Sequence, residues 1–275
     1  MSDASQFVDV GGCQLHYKTA GTPDAPALVM IHAGVADLTQ WDPQLATFSP
    51  QYHLIRYDTR GWGQSITEDV PFSNRDDLRK LLDHLGIEKA IVMGCSRSGQ
   101  IALDFTLEYP ERVRGLIWVC GGISGWEGPA SSPEEEALIA EMTAAEEAND
   151  LPGVARLDVR FWAVGPTRDP TTVNEDLKEW MYTTCLRNYT THTHYGQPIG
   201  LNPPAVNRLS EIQVPTLVII GVFDENATRV AADYLAHHVT GAVKHEMADT
   251  AHIPNREHPD EFNAIVGLFL TKAGL

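Results

Sequence analysis

A hydroxyl, a carboxylate and an imidazole recur along this chain in the order Ser96, Asp224, His252. Together they can perform acyl transfer. A serine hydroxyl is a weak nucleophile at neutral pH and needs a base, and that base needs a third group to hold its tautomer. Ser96 lies in Gly94-Cys95-Ser96-Arg97-Ser98-Gly99, between the apolar runs Ile91-Val92-Met93 and Ile101-Ala102-Leu103. The first run reads as a buried strand and the second as a buried helix. The chain must therefore turn sharply between them and lift one side chain out at the strand's end. Backbones pass close in such a turn, so small residues are needed two before and two after the nucleophile. Centring on Ser96 puts Gly94 and Ser98 in those places. Centring on Cys95 would put Met93 and Arg97 there, and centring on Ser98 would put Ser96 and Gln100 there. Only Ser96 fits. A Gly-x-Ser tripeptide is common, so the remaining chain decides whether this is a nucleophile or a plain turn.

The elements that would position these groups alternate. Phe7–Val10 and Gln14–Lys18 flank Gly11-Gly12 and predict a hairpin. Ala27–Ile31 and Ile91–Met93 are continuous apolar runs, and these together with His53–Tyr57, Arg114–Val119 and Pro215–Ile220 are expected as buried strands. Between them fall helical patterns: Trp41, Leu45 and Phe48; Asp76 to Leu85; the run after Ser96; and, later, Ala227 to His237. A strand near Ala242–Met247 and a final helix from Pro259 close the chain. Alternation of this kind means right-handed crossovers and a mostly parallel sheet covered on both faces. In such sheets functional groups gather at the carboxyl ends of the strands, where His32, Ser96, Asp224 and His252 all fall.

From Ile123 to Asn207 the strand-like runs vanish. Ser132-Pro133-Glu134-Glu135 is a helix start, with Ser at the N-cap, Pro at the first helical position and Glu three beyond the cap. Stripes through Leu138, Met142 and Ala145, through Leu157, Phe161 and Val164, and through Leu177, Trp180 and Met181 predict three helices. The expected organisation is a core of residues 1–122 and 208–275 with a helical insert at 123–207.

The formal net charge of −17 over 275 residues disfavours nucleic acid and anionic membrane surfaces as partners. About half of that excess falls in the insert. Cys13, Cys95, Cys120 and Cys185 are widely spaced, which suits free thiols in a reducing compartment. The N-terminal stretch lacks the basic and apolar regions of a signal peptide, and no apolar run is long enough to span a membrane. The expected location is the cytoplasm.

Ser…acid…His is the order of the α/β-hydrolases, and the motifs around it are similar to that family over nearly the whole chain. His32-Ala33-Gly34 resembles the family's oxyanion loop, with Ala in place of its usual Gly. Asp58-x-Arg60-Gly61-x-Gly63-x-Ser65 is similar to the loop after the fourth strand. Gly221-x-x-Asp224 resembles the acid loop, and Ala251-His252-Ile253-Pro254-Asn255-x-Glu257-His258-Pro259 the histidine loop. The insert sits where the family places its helical cap. The resemblance implies an α/β-hydrolase fold with a mostly parallel sheet of about eight strands. It also implies a Ser96–His252–Asp224 triad and no cofactor. The oxyanion hole would come from the backbone N–H groups of Gly34 and Arg97. His32, Trp162 and Trp180 are candidate substrate-pocket residues.

The implied activity is hydrolysis of small carboxylic esters or lactones, as in enol-lactonases and small carboxylesterases. Hydrolases that cut carbon–carbon bonds of ring-cleavage diketones share the triad and form the alternative. A low-turnover ligand-binding receptor on the same fold is a third reading. The expected partner is a small ester or lactone, and a homo-oligomer is compatible with the sequence. Other residues read as structural: Asp58 and Arg60 as a hydrogen-bonded turn, Cys95 as packing, His237-His238 as a solvated helix end. Asp249 is a rival to Asp224. His192-x-His194 has the spacing for two metal ligands but no third nearby, so no metal site is expected. Arg97 has a second reading as a side chain that touches substrate.

Overall fold

In the computed structural model, which describes residues 4–275, the apolar runs form the centre of the molecule. The first three residues of the N-terminal stretch considered above lie outside the described residues. The strands are β1 (Gln6–Asp9), β2 (Cys13–Ala20), β3 (Ala27–Ile31), β4 (His53–Tyr57), β5 (Ile66–Thr67), β6 (Pro71–Phe72), β7 (Ala90–Cys95), β8 (Val113–Val119), β9 (Gln197–Pro198), β10 (Thr216–Gly221) and β11 (Val243–Met247). The main sheet has nine strands in the order β1-β2-β4-β3-β7-β8-β10-β11, with β5 paired to β2. The hairpin β1–β2 and the β2–β4 pairing are antiparallel, and the other path strands run parallel. Every residue of β3, β4, β7 and β10 is buried. That is the reason these strands are largely apolar rather than alternating, with His53 and Arg56 of β4 as buried polar exceptions.

The helices are α1 (Leu45–Phe48), α2 (Asn74–His84), α3 (Arg97–Glu108), α4 (Pro133–Glu147), α5 (Leu151–Asp158), α6 (Glu175–Thr191), α7 (Asn226–His238), α8 (Pro254–Glu257) and α9 (Pro259–Ala273). The Trp41–Phe48 stripe is realised differently from the expectation. Leu38–Gln44 is a 3₁₀ helix, with Pro43 inside it, and only Leu45–Phe48 is α-helical. Pro43 donates no N–H and its ring crowds the carbonyl four residues back, which disfavours a continuous α-helix through it, while Trp41 and Phe48 still reach the core.

Between residues 123 and 207 the chain forms α4, α5 and α6. Ser132 Oγ accepts from the Glu135 N–H while Glu135 Oε2 accepts from the Ser132 N–H, completing a capping box. Glu135 Oε1 also accepts from the Asn226 N–H at 2.6 Å, tying α4 to the start of α7. The second stripe is α5 continued by a π-helical segment, Val159–Val164. The two ends of the insert meet: Val206 N–H donates to Ser124 O at 3.0 Å and Ala205 N–H to Ser124 Oγ at 2.8 Å. Sequence patterning does not anticipate β9, which pairs with β6 and fastens the insert to the loop before α2.

Candidate active site

The turn between β7 and α3 has the backbone a nucleophile needs. Ser96 stands at φ 60° and ψ −129°, a conformation L residues rarely adopt. Such strain persists where surrounding structure imposes it and is a marker of functional turns. Gly94 explains the register physically, since a Cβ there would lie 2.0 Å from the Ser98 carbonyl oxygen. Ser98, where a Gly is usual, is not a passive replacement. Its hydroxyl donates to the His32 carbonyl at 2.5 Å and so clips the turn to the loop after β3.

Asp224 and His252 come from the loops after β10 and β11. Gly221 allows those loops to touch, because a Cβ there would lie 2.0 Å from the Ala251 carbonyl oxygen. His252 Nδ1 lies 2.8 Å from both Asp224 carboxylate oxygens and donates to them. Burial alone would push the imidazole's pKa down, but the Asp224 charge and hydrogen bond outweigh it and hold the pKa above its ordinary value. Asp249, the rival acid, is exposed. His252 Nε2 is buried and has no hydrogen-bond partner. The Cys95 thiol, one residue before Ser96, donates to the His252 carbonyl at 3.5 Å, so the elbow and the histidine loop abut. No hydrogen bond joins Ser96 Oγ to Nε2 in this structure; such bonds commonly tighten only when substrate is bound.

The loop after β3 is held in place by side chains the sequence reading passed over. Gln40 Oε1 accepts from the Ala33 N–H at 2.7 Å. Gln40 also bonds to Asn255 of the histidine loop, which in turn bonds to Gln44. Because Ala33 is engaged, the N–H of Gly34 is the next donor along the loop, and among the described residues no acceptor is assigned to it. The N–H of Arg97 opens helix α3, where first-turn donors are left free by the helix itself. Asn255 lay in a quoted motif, but nothing in the sequence marks Gln40.

The three expected pocket residues have different fates. His32 is wholly buried: Nδ1 donates to Ala33 O at 2.7 Å and Nε2 accepts from Thr59 N–H at 3.0 Å. Burial keeps it neutral by lowering its pKa. The pocket expectation for His32 is therefore corrected: both nitrogens are spent inside the protein, and the ring braces the loop. Trp162 reaches the site. Its ring centroid lies 4.3 Å from that of His252, and its carbonyl accepts from the His252 N–H. Trp180 faces the seam between insert and core instead, under the Arg256 guanidinium at 3.9 Å and bonded to Thr39 Oγ1.

The Asp58 turn is structural, as expected. Asp58 accepts from Leu38 N–H, Gln64 N–H and His16 Nδ1, and Arg60 grips Asp77 at 2.6 and 2.8 Å. Of the histidine pair in the insert, His192 donates to the Gly63 carbonyl and His194 is exposed. The described residues that could jointly reach an ion are Cys120, Asp224 and His252, with candidate ligand atoms within 4.8 Å of one another. Burial raises the Cys120 thiol's pKa well above its ordinary value, so it is protonated. Both Asp224 oxygens already face His252. The group is a hydrogen-bonded set rather than an open ligand cage.

A strained serine at a strand–helix turn, an oriented imidazole and a braced donor loop, all at the carboxyl edge of a parallel sheet, define a hydrolase architecture. The sequence profile of the alpha/beta hydrolase family matches residues 28–265, and the chain belongs to that family. It is 28% identical over 262 residues to 3-oxoadipate enol-lactonase 2 of Acinetobacter baylyi, covering 92% of this chain and 91% of the relative. It is also 28% identical over 290 residues to a 2-hydroxy-6-oxononadienedioate/2-hydroxy-6-oxononatrienedioate hydrolase of Klebsiella pneumoniae, covering 97% and 94%. The solved enol-lactonase of Burkholderia xenovorans superposes with a TM-score of 0.75 at 25% identity, covering 97% of this chain and 100% of that one. A Bacillus subtilis carboxylesterase matches the fold with a TM-score of 0.74 at 22% identity, covering 98% and 92%. No helix among the described residues is long and apolar enough to cross a membrane.

Proposed function

We propose that this protein is a serine hydrolase of small carboxylic esters or lactones, working through an acyl-enzyme. Ser96 Oγ attacks the carbonyl and passes its proton to His252 Nε2, while Asp224 orients the imidazole and stabilises its charged form. The N–H groups of Gly34 and Arg97 bind the oxyanion. The alcohol leaves with the proton from Nε2, and water, activated by the same nitrogen, releases the acid. The observation that carries this reading is His252. Its Nδ1 is committed to Asp224, and its Nε2 is buried and unpartnered among the described residues, in a loop that abuts the Ser96 turn through the Cys95 thiol. The insert at 123–207 acts as a lid, bringing Trp162 against the imidazole. No metal or organic cofactor enters this chemistry.

A fluorophosphonate probe should add to the peptide containing Ser96, and Ser96→Ala should remove turnover of short p-nitrophenyl esters. Labelling of Cys95 or Ser98 in place of Ser96 would overturn the assignment. Carbon–carbon hydrolysis is the second reading, favoured by the likeness to the Klebsiella relative. It would be preferred if ring-cleavage diketones were turned over faster than esters. A single stoichiometric acylation without turnover would instead support the receptor reading.

A further inference from the structure

Among the described residues Arg97 is a cation with no acid to pair with. Its guanidinium lies over the Trp62 ring, 3.9 Å from the centroid, and one Nη donates to Thr59 Oγ1 at 2.5 Å. Nε is enclosed and unpartnered. The arginines buried in the core have carboxylates: Arg56 pairs with Asp42, Arg60 with Asp77 and Arg75 with Glu108. Among the described residues no carboxylate pairs with Arg97. Its titratable neighbours supply no negative charge at neutral pH, because burial pushes the Tyr57 hydroxyl far up and the His32 imidazole down. Burial lowers the guanidinium's own pKa to about 10, which still leaves it charged at neutral pH. The side chain is only partly covered from solvent, but its enclosed Nε is an unsatisfied donor, and such a donor beside the candidate active site calls for an acceptor.

The position says what that occupant is. Arg97 follows the nucleophile directly, and its Nε would lie 3.7 Å from a Cβ placed on Gly34, the proposed oxyanion donor. A guanidinium presents a planar fork of donors that matches a carboxylate. Resting on the serine-hydrolase reading above, we infer that the Arg97 side chain is the counter-ion of a substrate carboxylate, which selects esters or lactones carrying that carboxylate one short spacer from the attacked carbonyl. The overall charge of −17 repels such a substrate at long range, so selection depends on this contact rather than on steering.

The test compares p-nitrophenyl butyrate with the mono-p-nitrophenyl ester of glutaric acid, which differ by a terminal carboxylate. In the wild type, kcat/KM should favour the charged ester. In Arg97→Gln the charged-to-neutral ratio should fall by about 30-fold, mainly through KM, the scale of one lost charged hydrogen-bond pair. Arg97→Lys should recover part of the ratio, since it returns the charge without the fork. A loss spread equally over both esters would overturn the inference and make Arg97 a brace for Trp62 and the loop. If the wild type hydrolyses neither ester, the hydrolase reading fails separately. Calorimetric titration of Ser96→Ala with glutarate still decides the anchor, and no binding there would sink it. If Arg97→Gln does not fold, competition in the wild type serves: glutarate must inhibit butyrate-ester hydrolysis more strongly than uncharged glutaramide, and equal inhibition would refute the anchor.

Discussion

Helices α3 and α4 show how differently the two parts of this molecule are built. In α3, which carries the residues after Ser96, nine of twelve residues are buried, packed between β7 and β8. In α4, at the start of the insert, Glu135 is the one fully buried residue, and the predicted stripe of Leu138, Met142 and Ala145 is only half covered. The insert meets the core through polar contacts (Arg187 with Asp37, Asn188 with Ala36 O, Arg168 with Glu257 at 2.7 Å) and through buried apolar residues such as Val164, Leu177 and Met181 that join the common core. The proposed nucleophile thus stands on deeply buried ground, while the first helix of the insert is mostly open to solvent. On the proposed function, chemistry belongs to the sheet edge, and substrate choice is shared by Arg97 there and by the insert.

The largest effects should come from the sheet edge. Ser96→Ala and Asp224→Asn should each lower kcat by on the order of 10⁴-fold in a protein that keeps its circular dichroism spectrum. An Asp224→Asn enzyme of near-normal rate would break the comparison at its strongest point. The pH profile sharpens it. His252 must be neutral to act as base, so kcat/KM should rise with pH through an apparent pKa above the ordinary imidazole value, because Asp224 raises it. Asp224→Asn should move that limb downward, since burial is then opposed only by the smaller effect of Glu225. An unmoved limb would remove Asp224 from its role.

Within the insert the two tryptophans should separate. Trp162→Ala removes the ring packed on His252 and should cost roughly 10- to 100-fold in kcat/KM, with altered preference among acyl chains. Trp180→Ala loses the contacts with Arg256 and Thr39 and should instead lower stability by about 1–3 kcal/mol, with chain-length preference kept. Equal kinetic effects of the two would contradict their different placements.

The smallest effect is expected at Asp158, buried under the Tyr189 hydroxyl. Desolvation pushes its pKa up to about 6, above that of an unfolded carboxyl. Its contribution is therefore fully present at acid pH and is lost as pH rises through about 6. Asp158→Asn keeps an acceptor for Tyr189 without the charge, so melting temperature at pH 7.5 should rise by a few degrees and lose that pH dependence. A fall at pH 7.5 would show that the charged form is the stabilising one.

Much of this protein follows from local sequence. The register on Ser96 was legible because a strained turn excludes large residues from Gly94 and Ser98, a steric demand met within a few positions. The buried strands were legible because strands covered on both faces must be largely apolar. The capping box at Ser132 and Glu135 is likewise complete within one turn. Pairings between distant segments were decided by the tertiary structure. His252 could be matched with Asp224 or Asp249 until the loops after β10 and β11 were brought together through Gly221. His32 looked available until Thr59 and Ala33 took both its nitrogens. Trp162 and Trp180 read alike as aromatic positions in helical stripes, yet one faces the imidazole and the other the seam. Gln40 carried no signal at all, because a glutamine's role depends on what lies at the end of its side chain. The same holds for Arg97. Its place beside the nucleophile is written in the chain, but its lack of a carboxylate is a property of everything packed around it.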